Sequence, residues 1–316
     1  MKQLLFFLFL VSLPSFGQDF SDIETKVLAY PKLISSENLA SKISTDFSSK
    51  EQQIKAAFFW ITQNIRYDLE AFYNPNNKRV HFRYRTEAER IAKLQEIKDH
   101  IVTETLQSRK AVCEGYAQTL SKICTLLNIE NEVIKGYIRN SSADINNPKN
   151  SPNHAWNAVK LNDNWMYIDA TWAAGAVTNG KWHKKFNPYY YNIPTTKYFK
   201  THYPENKLWQ LRVGRMSLTD FYRQPIYDSS FLQSNIELIT PKTGIASIEN
   251  NEVTIQLKNS KKEQDIRFGF LGYPYAMKPT IHSKGTTTLL TINVPKNATN
   301  LFLLIDKQVA IEFLIK

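Results

Sequence analysis

Cysteine is scarce in this chain: two residues, Cys113 and Cys124, among 316. Both fall in one stretch, Ala111–Leu127 (AVCEGYAQTLSKICTLL), where Cys113, Ala117, Leu120, Cys124 and Leu127 follow one helical face. At about 1.5 Å per residue the two cysteines stand roughly 16 Å apart, whereas a disulfide needs Cα atoms within about 7 Å. A bridge between them is therefore excluded, and both thiols are expected to be free. Two cysteines cannot form a zinc site alone, and the six histidines show no metal-ligand spacing. No metal and no cofactor is expected.

Long apolar runs are also missing. The longest, Leu4–Leu13, is about ten residues, too short to span a bilayer as an ordinary helix. With Lys2 before it and Ser15-Phe16-Gly17 after it, residues 1–17 read as a secretory signal peptide cleaved before Gln18. The mature chain is expected to be secreted or periplasmic and without a transmembrane segment. There is no internal repeat, no low-complexity segment, and no dense basic run or basic-aromatic repeat. Loss of Lys2 takes the net charge from +11 to +10. Spread along the chain, that charge reads as a solvated basic surface, not a nucleic-acid site. Outside a cell its acidic partners would be envelope components or acidic proteins. What the chain does have is core: 42% of residues are hydrophobic and 13% aromatic, enough for two domains.

The helical stretch places Cys113 at a helix start. The partial positive charge of the helix N-terminus, with Arg109 and Lys110 just upstream, favours the thiolate, the form a nucleophile needs. Two later segments read as a β-hairpin, Ala155–Leu161 and Trp165–Trp172, around the turn Asn162-Asp163-Asn164. Pairing across that turn brings His154 and Asp169 to the same end of the ribbon. Simple register leaves them out of step, so a bulge or strong twist is expected. Cys, His and Asp are the parts of a thiol triad: one attacks a carbonyl, one moves the proton, one fixes the imidazole's tautomer.

VCEGYA on a helix, then NHAWN, then a strand ending DATW resembles the transglutaminase-like superfamily, a permuted relative of papain-like proteases. Within it the chain is most similar to the kyphoscoliosis peptidase-like branch. WITQNIRYD (Trp60–Asp68) and YFKTHYPENKLWQL (Tyr198–Leu211) support that branch, and the resemblance covers roughly residues 38 to 225. Ala111 departs from the pattern, which more often has glycine two residues before the cysteine. The resemblance implies that Cys113, His154 and Asp169 are catalytic. Tyr67, Trp156 and Trp172 are the candidate substrate-binding residues.

Taken in order, Ser36–Phe47 reads as a short surface helix. Ser48-Ser49-Lys50-Glu51 offers a capping box to the next helix, with Ile54, Ala57, Phe58, Ile61 and Ile65 on one face and Trp60 off it. Leu69–Arg85, with Asn74-Pro75-Asn76-Asn77, reads as a turn-rich connection. Thr86–Leu106 reads as a charged helix with the narrow stripe Ile91, Leu94, Ile97 and Ile101. Glu130–Arg139 reads as a strand. Asn140–Asn153, almost without apolar residues and followed at once by His154, fits either a substrate-gating flap or a disordered insertion. The aromatic tract from Trp182 to Trp209 either lines a cleft or wraps the core, and His183 and His202 read as hydrogen-bonded structural histidines. From about Gln233, six short β-prone runs suggest a small β-sandwich.

The expected fold is α+β. A transglutaminase-like (papain-like) core packs its nucleophile helix on an antiparallel sheet, and an Ig-like β-sandwich follows. The expected units are the signal peptide 1–17, the transglutaminase-like domain 18–228 and the sandwich 233–316. The expected function is a secreted cysteine enzyme acting on amide bonds through a thioacyl intermediate, a peptidase with a protein or peptide substrate. Within enzymes the alternative is a cross-linking protein-glutamine acyltransferase. Outside them it is an envelope-associated binding or scaffolding protein with little or no turnover.

Overall fold

The structure, a computed structural model, describes residues 19–74, 82–211 and 214–316. The signal-peptide assignment and the Pro75-Asn76-Asn77 turn lie outside the described residues. The chain opens with helices α1 (Ser21–Leu28), α2 (Ser36–Asp46) and α3 (Lys50–Asn64). The hydroxyl of Ser49 caps α3, accepting from the Gln52 amide at 3.2 Å while donating to the Gln52 side chain. The capping pair is thus Ser49 and Gln52, one residue later than Ser48 and Glu51. The helix also ends before Arg66, at Asn64. It is buried on nearly every side, from Gln53 to Thr62, because α1, α2 and the cysteine helix surround it. Trp60, off the apolar stripe, is fully buried and donates its indole N–H to the Pro31 carbonyl.

Strand β1 (Arg66–Tyr67) pairs in parallel with β2 (Lys110–Ala111), tying the end of α3 to the entry of the cysteine helix. Between them lie α4 (Leu69–Tyr73), capped by Asp68, and α5 (Glu87–Ser108), capped by Thr86. The first corrects the expected irregular connection; Asp68 supplies an N-cap that the turn residues downstream obscured. In α5 the expected stripe is displaced. Ile91 is exposed and the buried contact is made by Val102, Thr105 and Leu106 at the C-terminal end, where the helix meets α6.

Helix α6 (Cys113–Leu126) packs on a sheet of order β5–β4–β3–β8, formed by β3 (Asn131–Ile138), β4 (His154–Leu161), β5 (Asn164–Ile168) and β8 (His202–Pro204). Every pairing is antiparallel. The β4–β5 turn is the two-residue Asn162-Asp163, both left-handed (φ 48° and 62°), a conformation asparagine and aspartate tolerate. The second strand stops at Ile168; Thr171 and Trp172 lie instead on α7 (Ala170–Ala174). Beyond it, β6 (Gly175–Thr178) and β7 (Lys181–Lys184) form a separate hairpin, followed by α8 (Thr195–Tyr198) and α9 (Leu218–Arg223). Tyr189, Tyr190, Tyr191, Tyr198, Phe199 and Tyr203 are all buried, so this tract wraps the core.

Strand β9 (Ile226–Tyr227) and helix α10 (Ser229–Gln233) lead into the C-terminal sheets. One has the order β10–β12–β15–β14, from Glu237–Thr240, Glu252–Lys258, Thr287–Asn293 and Thr280–Lys284. The other is β11–β17–β16–β13, from Ile245–Ala246, Gln308–Ile315, Asn300–Ile305 and Ile266–Phe270. Alternate residues of β12, β13 and β15 are buried, as two sheets packed over one core require. Strand β14, exposed along its length, has no apolar alternation to betray it.

Asn140–Asn153 is a packed connection in its first half, neither flap nor disordered. Ser142, Asp144 and Ile145 are buried. The Ser142 amide donates to Glu312 on β17 at 3.1 Å, and its hydroxyl accepts from the Asn300 side chain. Among the described residues no helix is long and apolar enough to cross a membrane.

Candidate active site

Helix α6 begins at Cys113 with Val112 as N-cap, a residue whose side chain accepts no hydrogen bond. The half-buried thiol thus sits at the positive end of the helix. Three contacts fix the position of this helix start. The Asp68 amide donates to the Ala111 carbonyl at 2.9 Å, Tyr116 Oη to the Ile65 carbonyl at 2.8 Å, and Asn157 Nδ2 on β4 to the Ala117 carbonyl at 3.0 Å. A side chain on Gly115 would fall 2.6 Å from the Ala111 methyl and from Thr105 Oγ1, so with Ala111 in place position 115 has no room for one.

The neighbouring asparagine of the same motif, Asn153, bonds both polar backbone groups of Ile138 and sets where β4 begins. His154 is therefore the first residue of its strand, beside the thiol. Its Nε2–H donates to Asp169 Oδ2 at 2.7 Å. No bulge is needed. The register pairs Asn157 with Ile168, which puts Asp169 across from Trp156 and makes His154 its diagonal neighbour. Such neighbours lie about 7–8 Å apart at Cα, within reach of an imidazole and a carboxylate. Nε2 being engaged, Nδ1 is the nitrogen left for Cys113, which interacts with this ring both as hydrogen-bond partner and as a charge.

Asp169 is fully buried and accepts four donors. Oδ1 takes the Thr171 and Trp172 amides at 2.9 and 3.0 Å, as N-cap of α7. Oδ2 takes His154 and, at 3.1 Å, Nε2 of His202. Burial opposes the carboxylate's charge, yet these donors hold its carboxyl well below the usual range. Burial likewise opposes a charged His154, but Asp169 and then Cys113 outweigh it and raise the imidazole to about 10. Three ligand-type side chains, His154, Asp169 and His202, lie close enough together for a metal. Their 2.7 and 3.1 Å separations are those of charge-assisted hydrogen bonds.

Of the candidate binding residues, Tyr67 faces the site from β1; burial and then the charge of Cys113 raise its phenol. Trp172 is half-buried, its ring 5.7 Å from that of His154 and 4.8 Å from that of His202. Trp156 does not fit a substrate role. It is 1% exposed, stacks behind His154 and donates its indole N–H to Tyr198 Oη. Sequence reasoning assigned His202 to structure alone and missed its bond to Asp169; its place in the Tyr198–Leu211 stretch was the available signal. His183 lies exposed on β7. A groove of about 750 Å³ lies between α4, the end of α5 and the first turn of α6, lined by Asp68, Glu104, Lys110 and Glu114 among others; Cys113 is not part of its lining.

Fold and site together define a class: an α+β protein with a cysteine at a helix start facing a histidine and an aspartate on an antiparallel sheet. Residues 37–170 match the family model of the transglutaminase-like superfamily, a match that supports this superfamily for the chain. Its relatives include kyphoscoliosis peptidase of Mus musculus, 26% identical over 224 residues, covering 70% of this chain and 31% of that protein. The Homo sapiens kyphoscoliosis peptidase is 25% identical over 226 residues, 71% of this chain and 31% of that one. The Lim and transglutaminase domain protein ltd-1 of Caenorhabditis elegans is 25% identical over 169 residues, 45% of this chain and 23% of that one. The two kyphoscoliosis peptidase matches support that branch of the superfamily. It spans about a third of the length of those peptidases.

Proposed function

We propose that this protein is a cysteine enzyme of amide chemistry, with Cys113 as nucleophile, His154 as general base and then acid, and Asp169 as the group that orients His154. The observation that carries this reading is the unbroken series from thiol to imidazole to buried carboxylate at the uncapped start of α6. The thiolate attacks a carbonyl, and the C–N bond breaks as His154 returns the proton to the leaving amine. The thioacyl group then passes to water or to a second amine. The Cys113 backbone N–H, at the helix N-terminus, is the oxyanion donor in this scheme. Tyr67 and the exposed part of Trp172 are the side chains proposed to meet the substrate beside the thiol and imidazole.

Peptide hydrolysis is the reaction proposed, in keeping with the similarity to the kyphoscoliosis peptidases. The signal-peptide reading places it outside the cytoplasm, acting on protein or peptide substrates of the envelope, with the site carried by an 18–228 unit and the sandwich by 233–316. The test is incubation of the mature chain with a peptide library, with and without an added primary amine, read by mass spectrometry. Cleaved peptides in both cases support a peptidase; amine-linked glutamine products make it an acyltransferase. If neither forms and iodoacetamide labels Cys113 no faster than it labels an unfolded cysteine, the scaffold reading replaces this one.

A further inference from the structure

The carboxylate of Asp169 is shared. Both histidines place Nε2 on the same oxygen, Oδ2, while Oδ1 is held by two backbone amides of α7. Those two amides already fix the carboxylate plane, so a second histidine is not needed to aim it. We propose that His202 is a positioning residue that acts through Asp169: a neutral Nε2–H donor that draws on the charge of Oδ2 and thereby sets how firmly His154 holds its proton. This rests on the reading of Cys113, His154 and Asp169 given above and deepens it.

Three observations support the assignment. A carboxylate can only accept, so Nε2 of His202 carries the hydrogen. Nδ1 sits 2.8 Å from the Thr201 hydroxyl, which can donate to it and so fix that tautomer. The ring is fully buried between Trp156, Trp172 and Tyr198, and burial, opposed by the hydrogen bond and charge of Asp169 but aided by the charge of His154, lowers its pKa and keeps it neutral. The other ionisable groups facing this cluster are Cys113 and Tyr116 on α6, Tyr67 on β1, Tyr190, and Tyr198 on α8. The four phenols are all raised.

A donor shared by one oxygen competes. Without His202, the whole charge of Oδ2 falls on His154, which binds its proton more tightly and gives it up more slowly to a leaving amine. The experiment is histidine NMR of the full mature chain, with ¹⁵N-labelled imidazoles, following His154 from pH 5 to 11. Alongside it runs the pH dependence of iodoacetamide labelling of Cys113. Relative to wild type, His202→Phe is expected to raise the His154 midpoint by about one unit. Thr201→Val, which frees the tautomer, raises it by less, and His202→Gln, which keeps a donor, restores it. A loss of packing alone would not move that midpoint. An unchanged or lowered midpoint in His202→Phe overturns the proposal. Should that variant not fold, an unchanged midpoint in Thr201→Val does so. If instead His154→Ala leaves Cys113 labelling as fast as wild type at every pH, the underlying triad fails, whatever His202 does.

Discussion

Cys113 and Cys124 show how position on one helix separates two thiols. Burial pushes the Cys124 thiol up to about 12, and it packs as a small apolar side chain, whereas Cys113 is half-buried at the helix start. Ellman's reagent should therefore titrate one thiol in the native protein and two after denaturation. Two fast native thiols would place Cys124 wrongly. Replacing Asp169 with Asn should slow acylation of Cys113 by an activated ester by about 10- to 10³-fold. The comparable change in serine triads costs about 10⁴, and a thiolate–imidazolium pair, already ionised, depends less on the third group. His154 also gives the fold a pH dependence. Its folded value, about 10, lies above the roughly 6.5 of an unfolded histidine, so its stabilisation is complete below pH 6.5 and fades towards 10. Asp169 works the other way, stabilising above about pH 4 and losing that contribution as pH falls further. Urea midpoints at pH 5.5, 7.5 and 9.5 should show the gap between wild type and His154→Gln narrowing as pH rises. A widening gap would mean that His154 is not the charged partner of Asp169.

At the scale of elements, the site depends on how closely β3 approaches β8 and Trp156. A β-carbon on Gly136 would fall 2.3 Å from the Tyr203 carbonyl oxygen and 2.5 Å from Trp156 Cη2. The first of these is backbone and cannot swing aside. Gly136→Ala should therefore destabilise by roughly 1–3 kcal/mol, the range of overpacked cores, and displace His202 with its strand. Thermal unfolding measures the first effect and Cys113 labelling the second; a variant with wild-type values for both would show the sheet to be looser than this. The elements with strong local signals were legible in advance. The face of α6 and the β4–β5 hairpin follow from spacing and turn chemistry. Helix α4 and strand β14 were not legible, since one is a single capped turn and the other carries no apolar alternation.

For the whole molecule, the two halves are joined by structure as well as by chain. Strand β9 adds to the C-terminal sheet beside β17, and the Asp228 amide donates to the Ala310 carbonyl at 2.9 Å. The Asn140–Asn153 connection, which ends at β4, is held by Glu312 and Asn300 of the sandwich. A chain ending at residue 233 should consequently unfold several degrees lower than the mature protein and aggregate through its unpaired β9 and exposed connection. Equal melting temperature and solubility would make the sandwich an appendage.

The sequence alone determined the parts of this site. Helical spacing put Cys113 at a helix start, turn residues made the hairpin, and the order of Cys113, His154 and Asp169 suggested the chemistry proposed above, because these are local or near-local properties. Only the tertiary structure decided how the parts meet. Whether His154 needed a bulge depended on diagonal geometry across a sheet. Whether Trp156 could touch a substrate depended on burial. That His202 shares the carboxylate of Asp169 depended on a strand arriving 33 residues later beside β3. Hydrogen bonds between residues distant in the chain leave no periodicity along it, and packing alone brings them together.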